Sequence, residues 1–509
     1  MASEHAPDAF TADETIDCAL CIVGAGIAGL NALHSASRYL APGDRVVLVD
    51  AGDEPGGMWN ETYDFVRLHQ PHALFTVGDI PWARKMPRQH LADRQEVGEQ
   101  FRHCLDELRQ RVQLTTLFGH GYEHHVEQDA GVEMVCTRRL DDRRVRIRAP
   151  RLIKAFGLNV RPSAPLELSS TRVRSLTPHS PELAAYGRPG EDAPIIIVGG
   201  GKTAMDTALH VLRKHPGREL RMLIGHGVAF FNRDVLFPQG WRRWFGGAPM
   251  FEAFLDIARQ FDGTNAQNCV DYLVRHYGLA LNERPRQFHV GIVSAAELAE
   301  VRRGVSRIVE DHLVDVVDGA TGPQLELRRG AAMPVPAGSW VINCTGYLTP
   351  PVPVAAEPML SASGRVLSIN QTAAAFFLGS FGGYFLTHLF FRGQLAQLPL
   401  YLANADQILR EHKDELGILA LAQTVHNVIA VMQALPLGVI NQCRLDYNLW
   451  YPLPRRLPIQ LRFLLNGRAY QAHCRQALDR ARESRGLPID IAAGLLSDTR
   501  PRVGRAVAA

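Results

Sequence analysis

A chain of 509 residues that is 46% hydrophobic and 21% charged has the length for about two to four domains and too much apolar content for a disordered chain. A formal net charge of +3 gives nucleic acid no general electrostatic hold, so no nucleic-acid partner is expected. Eight scattered cysteines, with no second CxxC and no His/Cys cluster, argue against a secreted disulfide framework and against a metal site.

Residues 1–16 are polar and acidic and read as a flexible tail. They have neither the basic start nor the apolar core of a secretory signal, so the expected location is cytoplasmic. An apolar strand, Cys18–Val23, then runs through a glycine turn into a helix, Leu30–Tyr39, and a second strand, Val46–Asp50. Cys18 and Cys21 form a CxxC, but three residues apart on a strand they are expected on opposite faces and in packing roles. The stretches VEMVCTRR and RVRIRAPRLIKAFG read as β structure.

A second strand–turn–helix–strand unit opens at Ile195, with its strand at Ile195–Val198, a helix through TAMDTALHVLRKH and a strand at ELRMLI. From about 230 to 290 an insertion rich in Phe, with Trp241 and Trp244, is far longer than an ordinary connection. Phe230, Phe231, Trp241, Trp244 and Phe245 read either as the core of an extra helical layer or as a substrate pocket. Residues 305–346 alternate as strands, and from about 393 the chain reads as helix with an arginine-rich end. The apolar stretch 416–440 carries Gln423, His426, Asn427 and Gln433, which suits a buried helix better than a membrane span.

Two turns carry the chemistry. The stretch IIIVGGGKTAMD ends like a P-loop, but the first glycine of that motif would fall on Ile196, inside the strand, so the P-loop reading fails. Gly199, Gly201 and Ala204 instead satisfy G-x-G-x-x-G/A, in which small residues let a pyrophosphate approach the backbone at a helix N-terminus. Lys202 either adds a cation near the phosphates or points to solvent. The first unit holds Gly24, Gly26 and Gly29, and its second strand ends in Asp50, placed to grip ribose hydroxyls. The equivalent place in the second unit is Gly225-His226, with no acid. An acid would repel a ribose 2′-phosphate; His226, Arg221 and Arg233 would attract one. The first site therefore suits FAD and the second NADPH.

The fold class read from this pattern is α/β: two Rossmann-like dinucleotide-binding domains, the second inserted in the first, plus a C-terminal mainly helical region. The expected boundaries are 17–185 and 336–395 for the FAD-binding domain, 190–335 for the NAD(P)H-binding domain, and 396–509 for the helical region.

In this order the segments resemble the flavin-containing monooxygenase family over roughly residues 18–400. The run AGDEPGGMWN after Asp50 resembles the family's G-G-x-W element, which implies that Gly57 and Trp59 border the flavin. FVRLHQPHALFTVGDIPW resembles the segment beside the isoalloxazine ring. VINCTGY, with Thr345 and Gly346, resembles the return to the FAD domain, and FFLGSFGG, with Gly379, the last flavin-contacting turn. His69 stands where the family has an asparagine, two residues before Pro71, so His69 and Gln70 are the candidate catalytic residues. The F-x-G-x-x-x-H element is degraded around His179, and the W-[PD] ending of the Baeyer–Villiger branch is missing.

The resemblance implies an NADPH-dependent monooxygenase that reduces FAD, forms a C4a-(hydro)peroxyflavin with O2 and oxygenates a small soft nucleophile at nitrogen or sulfur. Without oxygen transfer the same scaffold would be an NAD(P)H oxidase or flavin-dependent dehydrogenase; without catalysis, a redox-sensing regulator. No CxxxxC follows the first glycine turn, which disfavours a disulfide reductase. The arginine-rich C-terminal region reads as a solvated helix face. A peripheral membrane contact and a homodimer stay open.

Overall fold

The computed structural model describes residues 14–157, 160–184, 192–348, 352–444 and 447–491. The tail expected over 1–16 lies outside them as far as residue 13. Its last residues are ordered: Glu14–Asp17 is a strand paired in parallel with Arg144–Ala149.

The first sheet is five-stranded and parallel, in the order Val366–Asn370, Leu152–Gly157, Leu20–Val23, Arg45–Val49, Gln113–Leu117. Its central strands are apolar on both faces because both faces are covered. Leu20, Ile22, Val46 and Leu48 point into the core shared with the helix Ile27–Ala36. The alternate residues Cys21, Val23, Val47 and Val49 pack against Met134 and Ile147 of a four-stranded sheet behind. Cys18 packs against that same cluster, so the opposite faces expected for Cys18 and Cys21 are not observed. The strand begins only at Leu20, and two-residue alternation does not reach back to Cys18. Burial pushes the Cys18 thiol up to about 11 and holds Cys21 well above the usual thiol range, leaving neither as a thiolate at neutral pH.

The second sheet is also parallel, in the order Val305–Val309, Leu220–Leu223, Ile195–Val198, Trp340–Asn343, Arg174–Leu176. Ile195 and Ile197 face the helix Lys202–Lys214, and Ile196 faces the hairpin sheet carrying Val316 and Leu325. The strand Val366–Asn370 returns to the first sheet after the second is complete. The second domain is thus inserted in the first, as the fold class requires.

The insertion and the C-terminal region form one lobe. Its helices Met250–Gln260 and Ala266–His276 share a core with Leu416–Ala434 and Leu453–Arg485, built on Phe231, Phe254, Phe288, Leu421, Val425, Trp450 and Leu478. Phe230 and Phe231 are core, while Trp241, Trp244 and Phe245 lie on the surface. Leu416–Ala434 is long and apolar enough to cross a membrane, yet 83% of its most apolar window is buried inside the fold. Its amides have a specific use. Gln423 donates to the carbonyl oxygens of Ala374 and Tyr401, and Asn427 to those of Ala375 and Tyr401. Unpaired, those buried carbonyls would each cost about 1–3 kcal/mol.

Candidate functional site

The first glycine turn is defined by close backbone approach. Gly24 has φ +104°, and a Cβ there would lie 2.5 Å from the Ala155 carbonyl oxygen. A Cβ on Gly29 would run into the Gly24 carbonyl. Gly26 ends the turn as the N-cap of Ile27–Ala36 with no side-chain cap, leaving helix N–H groups for an anion. Asp50 closes the site. Its carboxylate accepts from Ala25 N at 2.5 Å and from Gly52 N at 2.7 Å, one bond per oxygen, which leaves acceptor capacity for ribose hydroxyls. Burial raises its pKa, and the two backbone bonds oppose that.

Gly57, at φ +55°, packs on Gly26, and Trp59 meets Phe75 edge-on at 5.9 Å. Gly379 starts a short helical turn within van der Waals reach of Ala28. A cavity lined by Gly157, Asn370, Ala373, Phe376, Phe377 and Gly379 lies beside it. Asn370 Nδ2 there is buried and has no partner, so a donor awaits an acceptor. Asp50, the open N-terminus at Gly26 and this orphaned amide fit the ribose, pyrophosphate and polar flank of an FAD.

At the second turn Gly199 has φ +132°, packs on the Cys344 carbonyl, and leads to Gly201, the N-cap of Lys202–Lys214. A Cβ on Gly201 would meet nothing within 4 Å, so that side of the turn is open. Ala204 is fully buried against the sheet. Beyond the strand Leu220–Leu223, His226 stacks edge-on against His312 at 4.8 Å. His226 Nδ1 and His312 Nε2 are buried without partners. Main-chain bonds set basic residues around the pair: Arg286 N donates to His226 O, Arg328 N to His312 O, and Arg329 N to Asp311 Oδ2. Lys413 adds a further cation to the field at both imidazoles; of the nearby acids, Glu310 is tied to Asn282 and Asp414 to Gln287. Burial, then the surrounding cations, lowers both imidazole pKa values. The orphaned nitrogens and the basic rim fit a ribose 2′-phosphate. Of this set the sequence reading found only His226; His312, Arg286, Arg328, Arg329 and Lys413 come from separate segments with no motif linking them.

Two other expected cations are committed elsewhere. Arg221 pairs with Glu219 beside it. Arg233 donates to Glu297 Oε2 at 2.9 Å and to the His69 carbonyl at 2.8 Å, so it braces the candidate catalytic segment instead of His226. Lys202 neither covers the turn nor points to solvent. Its ammonium folds along its own helix onto Asp206, whose other oxygen accepts from Tyr63 Oη at 2.9 Å. With His179, which bonds both the Glu61 carbonyl and Tyr347 Oη, these contacts clamp residues 61–72 against the second domain. Tyr63, Asp206, Glu297 and Tyr347 were not legible as site residues, because their roles arise from this docking.

His69 and Gln70 sit in that clamped segment, both partly exposed. Desolvation, with Lys202 and Arg233 adding to it, pushes the His69 pKa well below the usual imidazole range. His69 is therefore neutral at pH 7, a hydrogen-bonding group and not an imidazolium acid. Thr345 bonds Asn343 Oδ1 and is exposed, and Gly346 turns at φ +81°. Burial pushes the thiol of Cys344, beside Gly199, up to about 12. All eight cysteines are free, and no cluster able to hold a metal occurs among the described residues.

Residues 18–228 match the pyridine nucleotide-disulphide oxidoreductase family model. The chain has the fold of an FAD- and NAD(P)H-dependent oxidoreductase. The match covers the first glycine turn, its acidic partner and the second turn. Curated relatives include uncharacterized proteins of Mycobacterium tuberculosis and Mycobacterium bovis, each 25% identical over 394 residues, 72% of this chain and 67% of theirs. Similar solved structures include a flavin-containing monooxygenase from Stenotrophomonas maltophilia, with 15% identity, TM-score 0.46, and coverage of 75% of this chain and 99% of that one. Tmm from Pelagibacter shows 13% identity and TM-score 0.43, covering 85% of this chain and 87% of its own. A bacillithiol disulfide reductase from Bacillus cereus shows 13% identity and TM-score 0.43, covering 74% and 100%.

Proposed function

We propose that this chain is an NADPH-dependent flavoprotein monooxygenase that oxygenates a small soft nucleophile, an amine or a sulfur compound. The carrying observation is the pair of glycine turns with unlike ribose ends: a carboxylate, Asp50, at the first, and the unpartnered His226–His312 pair with its basic rim at the second. The overall balance is substrate + O2 + NADPH + H⁺ giving oxygenated substrate + NADP⁺ + H2O. Bound FAD supplies hydride acceptance and O2 activation, which no side chain here could.

The chain's residues do the rest. Gly24, Gly26, Gly29 and Asp50 would seat FAD, with Gly57, Trp59, Gly379 and Asn370 flanking it. Gly199, Gly201 and Ala204 would let the NADPH pyrophosphate reach the helix N-terminus, and His226 would help hold its 2′-phosphate. Thr345 and Gly346 mark the return between the domains. The Lys202–Asp206–Tyr63 chain and the Arg233–Glu297 pair hold residues 61–69 at the seam where the two nucleotides would meet. There neutral His69, with Gln70 beside it, would donate or accept a hydrogen bond at the reacting ring.

His69 in place of the family's asparagine supports a second reading, an NAD(P)H oxidase that returns peroxide without oxygen transfer. Rapid mixing of the NADPH-reduced protein with O2 separates the two. A lag before oxidised flavin returns, with product formed when a sulfide or amine is present, supports the monooxygenase. Immediate reoxidation with one H2O2 per NADPH supports the oxidase.

A further inference from the structure

The outer face of Leu453–Arg485 is not the solvated polar face expected of an arginine-rich helix. Its inner face packs Ile459, Phe463, Gly467, Cys474, Ala477 and Leu478 into the lobe. The outer face of its first half carries Leu453, Leu457, Leu461, Leu464 and Leu465, all exposed, the last two at 75%. At about 100° per residue these five leucines fall within an arc of roughly 120°. Arg455 and Arg462 flank the arc on one side and Arg456 on the other, with Arg468 at its C-terminal end. No acidic residue occurs from 453 to 478. Of these four, Arg462 forms an ion pair with Glu252 and Arg455 is held by main-chain carbonyls, while Arg456 and Arg468 have no ion-pair partner among the described residues. The short helix Arg242–Phe245 abuts the start of this stripe, since Arg455 donates to the carbonyls of Gly246 and Gly247. It adds exposed Trp241 (79%), Phe245 (83%) and Trp244, with Arg242 exposed beside them.

We propose that this face is a peripheral membrane-docking surface for a bilayer bearing anionic headgroups. The leucine stripe supplies apolar area to the acyl boundary. Trp241 and Trp244 suit the headgroup level, and the arginines reach sideways to lipid phosphates. A second copy of the chain is a poor occupant. A two-fold contact would bury Arg456 and Arg468 of both copies against one another, and the helix stretch 453–478 has no carboxylate to answer them. An anionic surface answers Arg242, Arg456 and Arg468 at once. The inference does not depend on the flavin chemistry.

The test is flotation of the full-length protein with vesicles of phosphatidylcholine alone or containing 30% phosphatidylglycerol (roughly 30%, a fraction chosen to give a clear negative surface potential). Binding is expected only to the anionic vesicles. It should weaken in high salt and be abolished in Leu461→Glu/Leu465→Glu with flavin content unchanged. Should that variant misfold, Arg242→Gln/Arg468→Gln, which alters two exposed charges and no packing, is expected to weaken binding roughly fivefold per charge removed. No flotation with either vesicle overturns the proposal, as does equal flotation with both. A concentration-dependent dimer that the Leu→Glu pair dissolves also overturns it, in favour of self-association.

Discussion

Gly201→Ala separates the proposed nucleotide-binding role of the second turn from its structural role. Gly201 has φ −83° and ψ −170°, an extended conformation open to any residue, and its added methyl would touch no atom within 4 Å. The apo protein should lose only the difference between Gly and Ala at an N-cap, about 0.5–1 kcal/mol, against a total stability of roughly 5–15 kcal/mol. With NADPH seated as proposed, the same methyl would stand where a pyrophosphate oxygen approaches the backbone. Losing one charge-assisted hydrogen bond costs about 1.5–3 kcal/mol, or roughly 10- to 150-fold in Kd. The assay is anaerobic titration with NADPH, following loss of the oxidised-flavin absorbance, with dithionite as a reductant that needs no binding site. Gly201→Ala should keep its flavin, bleach normally with dithionite, and need far more NADPH. A variant that binds NADPH like the wild type would refute the placement of the nucleotide on this turn.

The first turn should respond differently. Gly24→Ala puts a methyl 2.5 Å from the Ala155 carbonyl at a φ that L-residues rarely adopt, so it should yield colourless or poorly folded protein; a yellow, stable variant would contradict the turn's geometry. His226→Ala and Arg286→Ala should each weaken NADPH roughly tenfold and leave NADH nearly unchanged, read as Kd by anaerobic titration. A bound 2′-phosphate would raise the depressed pKa values of His226 and His312. NADP⁺ should therefore bind more tightly as pH falls from 8 to 6, by calorimetry, while NAD⁺ shows no such trend. His388 is buried with its pKa lowered to about 3, below an unfolded value near 6.5. Between those values the unfolded chain takes up the proton and the native one does not. His388 thus removes about 1.4 kcal/mol of stability per pH unit as pH drops below 6.5. Urea midpoints of wild type and His388→Asn should converge between pH 7.5 and 5, and parallel curves would refute this.

What the residues alone disclose is what depends on local backbone geometry. The two turns, their strands and helices, and Asp50 are short-range patterns in which each glycine has a steric reason. Gln423 and Asn427 argued correctly for a buried helix, although the carbonyls of Ala374, Ala375 and Tyr401 that they satisfy could not be foreseen. Failures came where a side chain chooses among partners brought in by packing. Lys202 found Asp206 one turn along its own helix, and Arg233 found Glu297 and the His69 carbonyl. The arginine-rich C-terminal region was expected as a solvated face, but the helix also presents the leucines of 453–465 outward, because Ile459, Phe463 and Gly467 already fill its inner face.

The central claim is that two nucleotides meet in one protein, one seated and one visiting. It is tested most directly by adding NADPH or NADH to the purified, oxygen-free protein and then admitting air. The account predicts a yellow protein carrying one FAD per chain, bleached by NADPH at far lower concentration than by NADH, with colour returning only when O2 arrives. Protein that holds no flavin even when supplied with it, or flavin that neither nucleotide bleaches, would contradict it.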